Sequence, residues 1–254
     1  MKNKVVWITG ASSGIGEALV YAYHQMGAKL IISSRNRDEL FRVKSNCKNA
    51  VNIHVLSLDL EDLTALPRKA GEAQKIFGQI DLLIHCAGVG QRSGALETGM
   101  AVEQKIMTVN YWGAVVLSKE ILPGMITAGG GKIVCISSLT GKSGQKSHPA
   151  YAASKQALQG YFEALRNELT GRNIIITLVY PGGVKTNFSI HALNAQGIAD
   201  GEIDPAQPEG ILPEACAALI VKGIEEHKEE LVIGEKENQS ILFRRFFQRN
   251  LRGK

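Results

Sequence analysis

The feature that most constrains the fold is a repeated alternation between short apolar runs and longer stretches with helical spacing. The first run, Lys-Val-Val-Trp-Ile-Thr at residues 4–9, ends in a glycine-rich turn, and residues 17–26 follow with helical character. A strand that is apolar throughout is buried on both faces, which is typical of a parallel sheet covered by helices on each side. The opening of the chain therefore predicts a strand, a turn and a helix of an α/β fold.

The same alternation continues almost to the end of the chain. Further apolar runs predict buried strands at residues 29–33, 53–58, 81–85, 132–137, 174–179 and 231–234. Helical patterns lie between nearly all of them, and no linker rich in Pro, Gly or Ser and no internal repeat interrupts the series. We predict a doubly wound Rossmann fold, with a parallel sheet of about seven strands and helices on both faces. Residues 1–239 would form this single catalytic domain.

One long segment follows neither pattern. Residues 187–213 contain the turn formers Gly197, Gly201, Pro205, Pro208, Gly210 and Pro213. An irregular loop of this length in a compact domain is usually functional or disordered. We interpret the segment as a mobile lid over the substrate.

The positive charge of the chain is confined to its last residues. The formal net charge is +5, and residues 241–254 contain five basic residues and no acid, so the preceding 240 residues sum to zero. A neutral body does not favour nucleic acid as a partner. No stretch approaches the roughly eighteen apolar residues of a membrane span, and the N-terminus lacks a signal-peptide pattern, so we expect a cytoplasmic protein.

The basic tail, residues 240–254, is amphipathic at helical spacing. Its apolar strip consists of Leu242, Phe243, Phe246, Phe247 and Leu251, with arginines on either side. Such a pattern is typical of a helix that lies on an anionic membrane surface, which would make the protein membrane-peripheral. The same strip can also dock on the body or on a neighbouring subunit, with its arginines directed to solvent. Both interpretations stay open.

The cysteines give no sign of a metal or disulfide framework. They lie at positions 47, 86, 135 and 216, far apart and without the spacing of metal ligands. We therefore interpret them as reduced thiols and predict no metal site.

A glycine-rich turn stands at the first junction between strand and helix. Residues 9–16 read Thr-Gly-Ala-Ser-Ser-Gly-Ile-Gly. Glycines at this place allow backbone amides to approach a pyrophosphate, whose charge is favoured by the helix N-terminus. A simple tight turn would show a similar triplet, but the position favours a dinucleotide site. The predicted contacts are Gly10, Ser12, Ser13, Gly14, Ile15 and Gly16.

The end of the second predicted strand favours NADP(H) over NAD(H). NAD-selective sites place an acid here for the ribose 2′-hydroxyl, whereas this chain has Ser34 and Arg35. A hydroxyl and a guanidinium suit a 2′-phosphate.

Tyr151 and Lys155 form a candidate catalytic pair. Residues four apart on a helix lie on one face, so the phenol and the ammonium would be neighbours. Tyrosine has a reference pKa of about 10, and a nearby cation favours its ionised form, most strongly in a partly dry cleft. Chance also places Tyr and Lys four apart on solvated helices, so the pair gains meaning only if other segments converge on it.

At residues 4–188 the sequence resembles the short-chain dehydrogenases/reductases in their compact one-domain form. The matching elements, in chain order, are the turn at 9–16, Asp59, Ala87-Gly88, Asn110, Ser138, Tyr151-x-x-x-Lys155 and Pro181-Gly182. The resemblance implies that Asn110, Ser138, Tyr151 and Lys155 are catalytic, with Ser138 as the family serine. A pair of serines at a strand end is also typical of turn capping, which we expect of Ser137. Further cofactor contacts implied by the resemblance are Asp59 and Leu60 at the adenine, Ala87 and Gly88 at the adenosine ribose, Tyr151 and Lys155 at the reactive end, and Pro181, Gly182, Val184 and Thr186 beside the nicotinamide.

The resemblance also assigns the roles within the catalytic set. Lys155 would lower the phenol pKa together with the positive nicotinamide and would hydrogen-bond the nicotinamide ribose, and Asn110 would hold a water that links Lys155 to solvent. The chain departs from the family at His85-Cys86, where an asparagine is common before the Ala-Gly pair. We expect that change to affect local stability. We do not expect Cys86 to act as a nucleophile, because buried cysteines are usually inert. We interpret His148 as an ordinary loop histidine.

These observations predict an NADP(H)-dependent oxidoreductase that interconverts a ketone or aldehyde with an alcohol, with a lean toward lipid-like or steroid-like substrates. A 3-oxoacyl group on an acyl carrier fits the same catalytic core. A non-catalytic dinucleotide-binding regulatory or scaffold protein is the alternative from another class, and an epimerase or dehydratase is less favoured. A homodimer or homotetramer is expected by resemblance.

Overall fold

The computed structural model describes residues 1–203 and 209–234. The basic tail at 240–254, the predicted domain end at 235–239 and residues 204–208 of the predicted lid lie outside this range.

The described chain contains one sheet of seven parallel strands in the order β3-β2-β1-β4-β5-β6-β7. The strands are β1 (Val5–Thr9), β2 (Lys29–Ser33), β3 (Ile53–Val55), β4 (Leu82–His85), β5 (Gly131–Ile136), β6 (Ile174–Pro181) and β7 (Glu230–Ile233). The predicted doubly wound sheet is therefore confirmed. The strand order reverses between β1 and β4, and ligands of such sheets bind beyond the carboxyl ends of the strands at that point.

Helices cover both faces of the sheet. They are α1 (Gly14–Gln25), α2 (Arg37–Ser45), α3 (Leu66–Phe77), α4 (Met100–Met107), α5 (Gly113–Thr127), α6 (Leu139–Ser143), α7 (Pro149–Glu168) and α8 (Pro213–Glu225). Buried residues of α3, α4, α5 and α7 form one core with Val5 and Trp7 of β1, whereas those of α1, α2 and α8 pack on Val6 and Ile8. The two-residue period of a strand thus divides β1 between two cores, which explains why its sequence is apolar throughout.

The third strand is shorter than predicted. We expected it to span residues 53–58, but it ends at Val55. Its hydrogen bonding to the second strand continues irregularly, because the Leu56 amide donates to the Ile32 carbonyl at 3.0 Å and the Leu58 amide to the Ser34 carbonyl at 3.1 Å. The hydrophobic pattern therefore located the chain correctly, while the regular pairing stops early.

Residues 187–203 consist mainly of turns and isolated bridges, as their composition suggested. Leu193 pairs with Gln91 and with Ala199, so this segment is attached to the loop that follows β4. Its service as a lid stays a prediction. Within the described ranges, no helix is long and apolar enough to cross a membrane.

Candidate active site

A cavity of about 1160 Å³ lies at the carboxyl ends of the strands. It is lined by every residue that the sequence predicted to contact a cofactor, and also by Ser138, Tyr151 and Lys155. Asn110 is the predicted site residue that does not line it. Segments that are distant in sequence therefore meet in one cleft, because parallel strands deliver their carboxyl ends to a single edge of the sheet.

The glycine-rich turn is shaped by close backbone contacts. Gly10 has a φ of 69°, and a Cβ there would lie 2.6 Å from the Ala87 Cα. A Cβ on Gly16 would lie 2.1 Å from the Gly10 carbonyl oxygen. Both positions require glycine, so the turn can bring the first amides of α1 to the cavity wall, where the positive end of the helix favours an anion.

The opposite end of the cavity is more exposed and contains charged side chains. Arg35 is exposed, and the Ser34 hydroxyl donates to the Asn36 carbonyl at 3.1 Å. Glu39 also lines the cavity, but its carboxylate is paired with Arg42 at 2.6 Å. Arg42 also pairs with Glu17 at 2.8 Å, so Glu39 shares one guanidinium with a second carboxylate, whereas Arg35 lines the cleft as a cation.

The predicted adenine and ribose contacts lie between the two ends. Leu60 is buried against α5, since a Cβ on Gly113 would lie 2.9 Å from the Leu60 Cβ. Asp59 is exposed, and its carboxylate accepts the Glu61 amide at 2.9 Å. Ala87 closes on Gly10 as described above, so the strand-end segments after β1, β3 and β4 form one continuous wall.

Tyr151 and Lys155 lie on one face of α7 and both are buried. The Lys155 Nζ is 5.8 Å from the centre of the Tyr151 ring and donates a hydrogen bond to the Ile136 carbonyl at 2.9 Å. Burial lowers the pKa of Lys155 to about 8. The helix spacing therefore places the ammonium beside the phenol in a dry environment, where an electrostatic interaction is strong.

The Ser138 hydroxyl completes this group. Its oxygen accepts the Thr140 amide at 3.2 Å as the N-cap of α6, and its interaction with the Tyr151 phenol favours the ionised form of that phenol. Burial raises the pKa of Tyr151 to about 12, and the Ser138 hydrogen bond acts in the opposite direction. The expectation that Lys155 lowers this phenol pKa is not met by the protein groups alone, because burial dominates.

The two neighbouring serines divide their roles differently from the prediction. We assigned turn capping to Ser137, but the structure gives the cap to Ser138. Ser137 is buried, and its hydroxyl donates to the Lys155 carbonyl at 3.3 Å. Ser137 therefore ties β5 to α7, while Ser138 faces the cavity.

Asn110 is buried behind the cavity wall and hydrogen-bonds the residues that form it. It lies in a π-helical turn, Thr108–Trp112, between α4 and α5. Its side chain accepts the Val89 amide at 2.8 Å, donates to the Val89 carbonyl at 2.9 Å and donates to the Ser154 hydroxyl at 3.0 Å. A Cβ on Gly88 would lie 3.2 Å from the Asn110 Oδ1 and 3.5 Å from the Lys155 Nζ. Asn110 thus holds the loop after β4 next to Lys155, while the predicted water relay stays a prediction.

The segment after β6 forms the remaining wall. The Gly182 amide donates to the Ile233 carbonyl at 2.7 Å, and Val184 pairs with Ile211. Thr186 faces the glycine-rich turn, since a Cβ on Gly14 would lie 3.0 Å from its Cγ2. Pro181, at the end of β6, also lines the cavity.

Sequence reasoning missed two residues near Tyr151. The Phe188 ring centre lies 5.9 Å from that of Tyr151 and covers one side of it. The Gln91 side chain is buried and accepts hydrogen bonds from the Ala150 and Tyr151 amides. Neither residue belongs to a recognisable motif, and only the folded chain reveals the contact.

Three polar groups near the site have ordinary structural surroundings. The ring Nδ1 of His148 lies 2.8 Å from the Lys146 carbonyl, which fits the predicted loop role. Burial raises the pKa of the Cys86 thiol to about 12, so a thiolate nucleophile is disfavoured near neutral pH. Burial lowers the pKa of His85 to about 3, and its Nε2 pairs with the Ser118 hydroxyl at 2.8 Å.

The fold and the cleft define a dinucleotide-binding α/β domain. The sequence pattern of the short chain dehydrogenase family matches residues 4–196, so the chain belongs to that family of oxidoreductases, which use nicotinamide dinucleotides. A "Dehydrogenase/reductase SDR family protein 7-like" from Anopheles gambiae is 38% identical over 242 residues, which cover 92% of this chain and 75% of the relative.

Solved structures of other dehydrogenases share the architecture. A short-chain dehydrogenase from Streptomyces avermitilis superposes with a TM-score of 0.86 at 25% identity, covering 99% of this chain and 95% of that one. A short chain dehydrogenase/reductase from Burkholderia phymatum in complex with NAD has a TM-score of 0.81 at 22% identity, covering 91% and 89%. An alcohol dehydrogenase from Thermococcus sibiricus complexed with 5-hydroxy-NADP has a TM-score of 0.80 at 21% identity, covering 92% and 97%.

Proposed function

We propose that the protein is an NADP(H)-dependent oxidoreductase that interconverts a ketone or aldehyde with the corresponding alcohol. The observation that carries this proposal is the arrangement of three groups at one end of the cavity. The Ser138 hydroxyl contacts the Tyr151 phenol, and the Lys155 ammonium lies beside the same ring. Two hydroxyl donors and a buried cation suit a site in which negative charge develops on a carbonyl oxygen.

The roles of the side chains follow from their contacts. In the reductive direction, Ser138 and Tyr151 hydrogen-bond the carbonyl oxygen, and the Tyr151 phenol gives it a proton as its carbon is reduced. Lys155 stabilises the resulting phenolate across a short, water-poor distance. The nicotinamide, when bound, supplies the hydride and a positive ring after transfer, which would oppose the upward shift that burial imposes on the Tyr151 pKa.

The preference for NADP(H) is inferred from the exposed end of the cavity. Arg35 lines the cleft as a cation, and Glu39, which also lines it, shares Arg42 with Glu17. A 2′-phosphate would gain a charge-assisted hydrogen bond from the guanidinium, whereas a 2′-hydroxyl would find no free acid at position 34 or 35. Among structural neighbours both NAD and an NADP derivative occur, so the side chains of this chain decide the proposal.

A lipid-like or steroid-like carbonyl compound is the proposed substrate class. The Phe188 ring lies tilted beside that of Tyr151, with the ring centres 5.9 Å apart, and Ala192 and Leu193 also line the cavity. These residues belong to the segment 187–203, which supports the proposal that it acts as a lid. A 3-oxoacyl group on an acyl carrier is the second candidate, because the catalytic groups would serve it equally.

A binding protein without chemistry is the main competitor. Such a protein needs the glycine-rich turn and can use Lys155 to hold the cofactor, but it gains nothing from a phenol placed to give a proton to a carbonyl oxygen. The presence of Tyr151 and Lys155 side by side in the cavity wall therefore favours an enzyme. If the protein binds NADPH tightly but oxidises it with no carbonyl compound, the binding protein becomes the favoured interpretation.

The test is Tyr151→Phe, assayed by NADPH absorbance with an aliphatic aldehyde, a 3-ketosteroid and a 3-oxoacyl thioester. We expect kcat to fall by about 100-fold or more, because general acid catalysis contributes about 10² to 10⁴, while NADPH binding stays close to wild type. Tyr161→Phe removes the same hydroxyl from the same helix and should leave kcat unchanged. Turnover by Tyr151→Phe at the wild-type rate would refute the mechanism.

A further inference from the structure

The side chain of Gln91 holds the beginning of the helix that carries Tyr151. Its Oε1 accepts the Ala150 amide at 2.8 Å and the Tyr151 amide at 3.1 Å. These amides belong to the first turn of α7, where backbone N–H groups have no partner within the helix. The residue before the helix, His148, makes no side-chain cap. A glutamine about sixty residues earlier in the chain therefore replaces the local cap.

The other end of the Gln91 amide is fixed as well. Its Nε2 donates to the Thr98 hydroxyl at 3.0 Å and is 3.4 Å from both the carbonyl and the hydroxyl oxygen of Ser93. The two hydroxyls are themselves hydrogen-bonded at 2.8 Å. Because the Ala150 and Tyr151 amides can only donate, the oxygen of the Gln91 side chain must point at α7, and its nitrogen then points at the hydroxyls. The side chain is fully buried.

The backbone around Gln91 joins the same point to the irregular segment. Gln91 pairs with Leu193, whose amide donates to the Gly90 carbonyl at 3.0 Å, and the Arg92 amide donates to the Leu193 carbonyl at 2.8 Å. The Arg92 guanidinium is 2.5 Å from Asp200. One short loop thus contacts both the catalytic helix and the segment that bears Phe188.

We propose that Gln91 is a positioning residue for the reaction: it sets the place of the Tyr151 phenol and links that place to the docking of residues 187–203. The inference rests on the proposed catalytic role of Tyr151. Gln91 acts through the backbone of α7 and takes no part in the transfer of the proton or the hydride. Its effect therefore falls on the geometry of the proton donor, for which a displacement of about 1 Å can reduce the rate about 100-fold.

The decisive variants are Gln91→Ala and Gln91→Glu. Alanine removes the acceptor, so we expect kcat for the best carbonyl of the panel to fall about 10- to 100-fold, with NADPH affinity within about threefold of wild type. Glutamate keeps an oxygen that accepts both amides but loses the donor to Thr98 and buries a carboxyl group, so it should restore part of kcat. Gln159→Ala removes an equal side chain from α7, where it contacts Glu163, and serves as the matched control.

A second measurement does not depend on turnover. Hydrogen exchange at the Ala150 and Tyr151 amides, followed by NMR, should speed up in Gln91→Ala by about 10-fold or more because local opening becomes easier. The Tyr151 phenol titration, isolated by subtracting the spectrum of Tyr151→Phe, should shift in the same variant. Gln159→Ala should leave both close to wild type, and Gln91→Glu should keep the amide exchange closer to wild type than Gln91→Ala does, because it retains the acceptor.

The outcomes separate this inference from the proposed function. If the wild-type protein reduces no carbonyl, the proposed function fails, while amide exchange and phenol titration still decide whether Gln91 positions α7 and Tyr151. Unchanged exchange and titration in Gln91→Ala would overturn the inference. It would also be overturned if Gln91→Glu lost as much kcat as Gln91→Ala, since a packing defect would then account for both.

Discussion

The two ends of the cavity are built in different ways. At the catalytic end, Tyr151 and Lys155 are less than one-tenth exposed and are held by hydrogen bonds to neighbouring elements. At the adenosine end, Arg35 and Asp59 are exposed. Burial at the first end raises the pKa of Tyr151 and lowers the pKa of Lys155, so both shifts favour the neutral form of the side chain. The second presents charge to solvent, where salt screens it.

The difference teaches where each property of the enzyme resides. A buried amine is costly to protonate, but once charged it interacts strongly with a charge that develops beside it. The reaction itself is therefore best placed at the dry end. An exposed guanidinium costs little to place and discriminates among cofactors that differ by a phosphate, so selectivity belongs at the wet end. Substitutions at the two ends should therefore differ in kind as well as in size.

The largest effect is expected for Lys155→Met, which keeps the length of the side chain and removes the charge. We expect kcat in the NADPH assay to fall by about 100-fold or more, within the range for disabled acid–base catalysis. Lys119→Met on α5 removes an exposed ammonium and should retain full activity. Wild-type kcat in Lys155→Met would show that the dry end does not use its cation.

The second effect concerns the exposed end. Arg35→Asp should lower kcat/KM with NADPH about 10- to 100-fold relative to NADH, since a hydrogen bond to a charged group contributes about 1.5–3 kcal/mol. The kcat at saturating cofactor should change little, because the reacting groups are distant along the cleft.

Arg37→Asp makes the same charge change two residues further on, where the guanidinium lies over the Phe41 ring, 5.4 Å from its centre. It should preserve the cofactor preference. If Arg35→Asp leaves the ratio of kcat/KM for NADPH to that for NADH unchanged, the proposed selectivity for NADP(H) is wrong. The exposed end of the cavity would then not determine the choice of cofactor.

The sequence predicted the sheet because strands buried on both faces are visible as unbroken apolar runs. It predicted the glycine-rich turn for an equally direct reason, since Gly10 and Gly16 have no room for a Cβ. Local constraints of this kind are written in neighbouring residues. All the predicted contacts then met at one cavity, because the parallel order of the strands brings their ends together.

What the sequence could not predict depends on contacts between distant segments. Gln91 reaches α7 across 59 residues of chain, and no spacing rule connects a loop glutamine to a helix start. Ser137 and Ser138 are adjacent and chemically identical, so only the backbone decides which one caps α6 and which one contacts Lys155. The balance of the Tyr151 pKa likewise depends on burial, which a four-residue spacing does not reveal.

The third prediction tests the desolvation of Lys155 through stability and not through turnover. Burial lowers the pKa of Lys155 to about 8 in the folded protein, against an ordinary value of 10.5. Below pH 8 the lysine is charged in both states, and the folded state bears the full cost of burying that charge. As the pH rises from 8 to 10.5, the folded lysine is already neutral while the unfolded one still binds a proton, so the cost declines. The wild type should therefore gain up to about 3 kcal/mol of unfolding free energy relative to Lys155→Met across this window.

Comparison with the variant is needed because other buried groups titrate in the same range. Burial raises the pKa of Cys86 and Tyr151 to about 12, so each destabilises the fold at alkaline pH, but both residues are present in the two proteins and largely cancel in the difference. Urea unfolding at pH 7, 8.5, 9.5 and 10.5 measures that difference. Leu158→Ala, on the same helix, should show a pH-independent loss. A constant gap between wild type and Lys155→Met would mean that water reaches the ammonium and that the two ends of the cavity are not as unlike as their burial indicates.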